Sequence, residues 1–174
     1  DALVPCTDEA ALFAALDLPY LPPEMREDMG ELDLDRTPRL VERDDLIGMF
    51  HCHTTASDGA ASLEQMAEAA RERGYAYLLI ADHSQSAAYA GGLSPADIQK
   101  QHAAINAINA KCDGFRVLKG IESDIRSDGA LDYDDDVLAT FDLVIASVHS
   151  RLNMDERDAT ERVLRAIAHP ATVI

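Results

Sequence analysis

The sequence predicts an α/β fold with parallel strands. Short apolar runs of strand length alternate with longer segments of helical character from residue 45 onward. The helical segments open on capping signals. Imidazoles and carboxylates gather where the apolar runs end, the rim on which α/β folds build their sites.

The elements follow in order. Residues 1–45 stand apart from the rest. Asp8–Leu16 reads as a short helix with Thr7 as N-cap and with Leu12, Phe13 and Leu16 on one face. Pro19, Pro22 and Pro23 then forbid a continuous helix. Glu24–Arg43 is charged and poor in apolar anchors, so 1–45 reads as a helical tail and linker, and 46–174 as the main domain. Leu46–Cys52 is the first strand. Ser62 with Gln65 three residues on forms a capping box, and the helix it opens runs to about Arg73 and stops at Gly74. Tyr75–Ala81 is a buried strand. Ser94 and Pro95 start a second helix, with Ile98, Ile105 and Ile108 as its stripe, ending near Cys112. Phe115–Ile121 and Leu143–Val148 are the third and fourth strands. Asp155 begins the last helix, and Val173 and Ile174 begin a further strand.

Composition narrows the function. Asp and Glu number 32 against 15 Lys and Arg, a net charge of −17. A passive nucleic-acid binder needs the opposite sign, unless metal cations dominate the local field. No apolar run approaches the ~18 residues of a membrane span, and no signal peptide is visible. Cys6, Cys52 and Cys112 are odd in number and widely spaced, which suggests no disulfide framework and fits a reducing, cytoplasmic setting.

The four strand ends carry the chemistry. The first reads Phe50-His51-Cys52-His53, and residues i and i+2 of a strand share a side, so two imidazoles can reach one ion. Its loop carries Ser57, Asp58 and Gly59. The second end reads Ala81-Asp82-His83-Ser84, the third Gly120-Ile121-Glu122, the fourth Ser147-Val148-His149-Ser150. A lone His-x-His is a weak signal, and Asp before Gly is an ordinary turn pair. Glu122 is harder to dismiss, because a buried carboxylate without a cation is costly. Recurrence at four successive ends makes the case for a metal site, and mixed imidazole and carboxylate donors suit Zn²⁺, Mn²⁺ or Fe²⁺. His102, flanked by Ile98 and Ile105, reads as a packing or surface residue. His169, at the end of the last helix, is not expected to be a ligand either. Arg151 stands where a guanidinium can meet a phosphate, or else is a solvated loop residue.

In their order, His51-Cys-His53-Thr-Thr-Ala-Ser-Asp58-Gly, Ile80-Ala-Asp82-His83-Ser, Gly120-Ile-Glu122 and Ala146-Ser-Val-His149-Ser resemble the polymerase and histidinol phosphatase (PHP) superfamily, over residues 46–174. Residues 17–31 and Ala88-Tyr-Ala-Gly-Gly-Leu-Ser-Pro resemble stretches of bacterial and archaeal family X DNA polymerases. Met49-Phe50 departs from the acidic residue and Leu that the family often places before its first His, at positions that are not ligands.

The resemblance implies a distorted (β/α)7-type barrel with up to three divalent metals, Mn²⁺ or Zn²⁺, on its C-terminal rim. It implies that His51, His53 and Glu122 serve one metal, Glu122 and His149 a second with Glu122 bridging, and Asp58 and His83 a third. Three further ligands are expected from later motifs, which the chain ends before, at Ile174, so that the barrel is expected to be partial and six of nine ligands present. Glu122 and Asp82 are the expected catalytic groups, Asp82 by orienting a ligand or assisting proton transfer, and Arg151 the expected phosphate contact. The implied activity is metal-dependent phosphoester hydrolysis, a 3′-5′ exonuclease or 3′-end processing function in DNA repair. The implied partners are DNA 3′ ends and an N-terminal polymerase module in cis, with no membrane. Two rivals stand beside it: a small-molecule phosphatase of the histidinol-phosphatase type, against which residues 17–31 argue, and a non-catalytic structural fragment.

Overall fold

The structure, a computed structural model, describes residues 4–173. The chain falls into two compact units divided between Arg43 and Asp44.

In the first unit, helix α1 (Glu9–Ala15) is capped by Asp8, whose carboxylate accepts from the Ala11 N–H at 2.8 Å. Thr7, the expected cap, sits one residue too early, because Asp8 already has extended backbone and its oxygen reaches the first turn. The expected apolar face is largely open, with Leu12 and Leu16 exposed. Phe13 packs edge-on against Tyr20, and the Arg26 guanidinium lies over the Phe13 ring while it grips Glu9 at 2.8 and 3.2 Å. Pro23–Met25 forms a 3-10 turn where the prolines end helical continuity.

The second unit is a parallel sheet of five strands in sequential order: β1 (Gly48–Cys52), β2 (Tyr77–Ile80), β3 (Arg116–Asp124), β4 (Leu143–Ser147) and β5 (Thr172–Val173). Sequential parallel order winds the sheet in one direction, as in a barrel, and it has no switch point of the doubly wound kind. Each crossover carries a helix: α2 (Leu63–Glu72), α3 (Pro95–Asn109), α4 (Asp135–Leu138) and α5 (Glu156–Ala168). This is the partial barrel that the sequence implies. Ile174, expected in the last strand, lies outside the described residues.

Local chemistry explains the helix starts. Ser62 and Gln65 form the reciprocal capping box, at 3.3 and 2.9 Å. Ser94 caps α3 through the Asp97 N–H, with Pro95 in the first turn. Hydrogen bonds from Lys100 and Ser94 pull the Asp97 carboxyl down to about 2. Asp155 caps α5. Between β2 and β4, α4 and the 3-10 turn Ala88–Ala90 escape sequence reading, because both are too short to show a period.

Strand alternation sorts the residues. Leu78, Ile80 and Val117 pack with Leu63, Ala67, Ala70 and Ile105 into one core. Ile121, Val144 and Ala146 pack with Ile98, Leu138 and Ala166 into a second. These residues face the helices. The residues between them face the inner side of the curl, and this parity carries past the strand ends to the site.

Strand β3 is longer than expected. Glu122 does not end it, because the ladder with β4 continues from Gly120 to Asp124. The charged residue lies inside a strand because imidazoles from neighbouring segments partner it.

Candidate metal centre

Glu122 is 6% exposed and stands at the middle of the site. Its Oε1 lies 3.1 Å from His51 Nε2 and 3.2 Å from His149 Nε2. Its Oε2 lies 3.3 Å from His53 Nε2 and 3.1 Å from His83 Nδ1. Each carboxylate oxygen is therefore shared by two imidazoles. Burial raises the Glu122 carboxyl, but hydrogen bonds from Ser147 and His51 and the charges of His51 and His149 outweigh it and hold the carboxyl below its usual value.

Each element delivers its side chain for a local reason. In β1, the three steps from Met49 to Cys52 face two steps of β2, from Leu78 to Ile80, which is a bulge, and His51 sits at a φ of 58°. The His51 and His53 rings then stack at 5.4 Å. Simple alternation along a regular strand was the expected route to one side; the backbone reaches the same meeting through a bulge and a left-handed residue. The loop that follows is tight: the Ser57 and Gly59 N–H groups both donate to the Thr54 carbonyl. A Cβ on Gly59 would come within 2.5 Å of the His53 backbone, so only glycine lets the loop close. Closure brings Asp58 Oδ1 to 3.1 Å from His53 Nδ1 and Oδ2 to 3.5 Å from His83 Nε2. The slight burial of Asp58 raises its carboxyl, but His83 and His53 lower it further and leave it below its ordinary value.

Asp82 and His83 are adjacent and face opposite ways. His83 lies on the inner side, bridged to Glu122 across the strands. Asp82 lies on the helix side and is fully buried. It accepts from the Thr54 N–H and hydroxyl at 2.7 Å each, from Ser57 Oγ at 2.5 Å and from Gln101 Nε2 at 2.6 Å. All of its capacity goes to the 54–57 loop and to α3. These contacts hold the 54–57 loop, which leads into Asp58.

Three residues that sequence reading missed support the centre. Asp124 shares the inner face with Glu122 and lies 2.7 Å from His149 Nδ1, while its other oxygen accepts from Ser86 Oγ at 2.7 Å. Ser147 bonds Glu122. Arg162 is 3% exposed and donates to the carbonyls of Ile125, Arg126 and Ser150, joining the loop after β3 to the loop after His149. The signal for Asp124 was its i+2 spacing from Glu122, visible only once β3 is known to continue. No local signal marks Arg162.

Three groups of donors each converge to within 4.8 Å: His51, His53 and Glu122; His53, Asp58 and His83; and His83, Glu122 and His149. The residues fit divalent cations on a direct observation: His83 Nδ1 is buried, 3.1 Å from Glu122 Oε2 and yet without a hydrogen-bond partner, a polar atom that a cation would satisfy. The nitrogen and oxygen donor set is that of Zn²⁺, Mn²⁺ or Fe²⁺.

The remaining candidates lie elsewhere. Arg151 is exposed, at a φ of 57°, two residues past His149. His102 is on α3, edge-on to the Phe141 ring at 4.9 Å. His169 caps the end of α5 and lies 3.2 Å from Asp135. Neither histidine belongs to a donor group among the described residues. Cys6, Cys52 and Cys112 are free thiols. No helix among the described residues is long and apolar enough to cross a membrane.

Comparison with known proteins adds a second line. Residues 50–169 match the family model of the PHP domain, and residues 1–27 match that of the DNA polymerase beta thumb. Over 171 residues the chain is 44% identical to the DNA polymerase/3′-5′ exonuclease PolX of Bacillus subtilis (strain 168). The match covers 93% of this chain and 30% of that relative.

Proposed function

The chain belongs to the PHP family, and from that membership we propose that its centre is a metal-dependent phosphoesterase acting on DNA 3′ ends within a family X polymerase. The observation that carries the proposal is the sharing of both Glu122 oxygens among His51, His149, His53 and His83. A carboxylate so placed can bridge two cations. Bound divalent ions, Mn²⁺ or Zn²⁺, would lower the pKa of a water toward ~7 and offset charge on the attacking and leaving oxygens of a phosphodiester.

The chain's own residues prepare that chemistry. Asp124 lies 2.7 Å from His149 Nδ1 and, by taking a proton from it, would leave Nε2 free to hold a cation beside Glu122. Asp82 holds Thr54 and Ser57, which fixes the loop bearing Asp58. Arg151, exposed beyond His149, offers a fork of donors to a phosphate. Residues 1–45 are, on this proposal, the end of the polymerase module and its linker, which would deliver a DNA end to the 46–174 domain. The relative's name, a polymerase with 3′-5′ exonuclease, supports this assignment.

The test uses the full-length protein, stripped with chelator and resupplied with Mn²⁺ or Zn²⁺. Wild type should release the 3′-terminal nucleotide of an oligonucleotide, and Glu122→Gln should lower the rate by at least about 100-fold, since the neutral amide cannot bridge two cations. Near-full activity of Glu122→Gln at saturating metal would overturn the assignment. Hydrolysis of histidinol phosphate with no action on DNA would favour the small-molecule phosphatase.

A further inference from the structure

Tyr89 is 72% exposed, the most exposed aromatic side chain among the described residues. An isolated exposed tyrosine needs no explanation, but this one is mounted on an unusually well-fixed turn. Its neighbours Ala87 and Ala90 are 1% and 5% exposed. The Ala87 N–H donates to Ser84, the Gly92 N–H to Ala87 and the Leu93 N–H to His83. Tyr133 Oη donates to the Leu93 carbonyl at 2.6 Å and accepts from the Gln85 N–H at 3.1 Å. Ser86 is tied to Asp132 and Asp124. A Cβ on Gly92 would fall 1.8 Å from the Ser84 carbonyl oxygen, so the turn closes as tightly as a backbone can. The scaffold is ordered, and the large ring it carries is left in solvent.

The ring also has a definite place. Its centroid is 6.2 Å from that of His83, which contacts both Glu122 and Asp58. Slight burial, together with the charges of Asp124, Glu122 and Asp58, holds the Tyr89 hydroxyl above its ordinary pKa, as expected of a phenol beside the acidic cluster.

The substrate proposed above poses an electrostatic difficulty. The chain carries 32 Asp and Glu against 15 Lys and Arg, a net charge of −17, so its overall field opposes the phosphate neutralisation that usually holds DNA. A flat aromatic face supplies affinity that needs no cation, because every base presents a π-face. We propose that Tyr89 is a substrate-contact residue whose ring stacks on the base of the terminal nucleotide while its phosphodiester faces Glu122. The proposal rests on the phosphoesterase reading. It adds that binding is tolerant of sequence and depends on a base being present at the end.

The experiment compares wild type, Tyr89→Ala and Tyr89→Trp in the full-length protein with Mn²⁺. One oligonucleotide ends in an ordinary nucleotide, the other in a tetrahydrofuran residue that has no base. Tyr89→Ala should raise KM about 10-fold on the ordinary end with kcat little changed, the scale of one lost base stack. On the tetrahydrofuran end it should match wild type. Tyr89→Trp should restore KM. Equal impairment on both ends, or none on either, overturns stacking. Release from neither end by wild type would instead count against the phosphoesterase reading. Stacking is then decided by binding an oligonucleotide with 2-aminopurine at its 3′ end. Fluorescence that drops with wild type and not with Tyr89→Ala supports the contact, and equal fluorescence refutes it.

Discussion

Because successive residues of an extended chain face opposite sides, Asp82 and His83 have different environments despite being bonded neighbours. Asp82 is buried among four donors and stabilises the loop of Thr54 and Ser57. His83 points inward with an unspent nitrogen. The same parity makes Asp124 a partner of the centre. Its carboxylate is 6% exposed and meets His149 at 2.7 Å, closer than any imidazole approaches Glu122. Replacing it with Asn keeps the shape and removes the charge that fixes the His149 tautomer. We expect Asp124→Asn to weaken Mn²⁺ binding by about 10- to 100-fold, the range for such supporting groups. Equilibrium dialysis of metal measures this directly, and ¹⁵N shifts of the His149 ring report the tautomer. Unchanged binding and unchanged ring shifts would show that Asp124 serves packing alone.

At the scale of elements, the site is assembled by the segments that follow the strands. The 54–59 loop, the 84–93 turn and the residues after β3 and β4 each carry a hydrogen-bonded clamp: Asp82, Asp132 with Tyr133, and Arg162 respectively. The 84–93 turn is the most demanding of these, since Gly92 passes against the Ser84 carbonyl. Gly92→Ala should destabilise the fold by about 1–3 kcal/mol or more, the cost of overpacking where the obstructing atom is backbone. It should also raise KM for DNA, because the turn carries Tyr89 and its end is bonded to His83. Denaturant unfolding gives the first quantity and steady-state kinetics the second. A variant as stable as wild type would mean that the turn relaxes freely and does not hold Tyr89 in place.

For the whole molecule, charge and metal act together. Four imidazoles and two carboxylates gathered on one rim of an acidic chain are mutually compatible mainly through the pairing of His with Glu122 and Asp58. A cation that binds only the folded arrangement stabilises it by mass action. At a free metal concentration about 100 times Kd, the gain is ~2.7 kcal/mol. For a chain of this size that is about 5–10 °C in Tm. Chelator-treated protein should therefore melt lower and recover on addition of Mn²⁺ or Zn²⁺, and Glu122→Gln should lose most of the recovery. A melting temperature indifferent to metal in wild type would show that no strong site exists. The same balance predicts that DNA association by this acidic chain is stronger with the divalent ion than without it.

The order of strands and helices was legible because each signal is local: capping serines before helices, apolar runs of strand length, prolines that keep the chain after α1 from continuing as helix. The six candidate ligands were legible for a related reason. Sequential strands of a parallel sheet end on one rim, so polar residues at four successive ends must approach one another. Tertiary structure decided what depends on pairing and on facing neighbours. The ladder with β4 carries β3 past Glu122 and brings Asp124 under His149. The bulge at His51 replaces simple alternation with a left-handed backbone. Burial on the helix side makes Asp82 a clamp on the loop of Thr54 and Ser57. Arg162 joins two loops from 12 and 36–37 residues away. Side-chain identity sets what a residue can do; the strand beside it and the face it turns to the helices set which of those things it does.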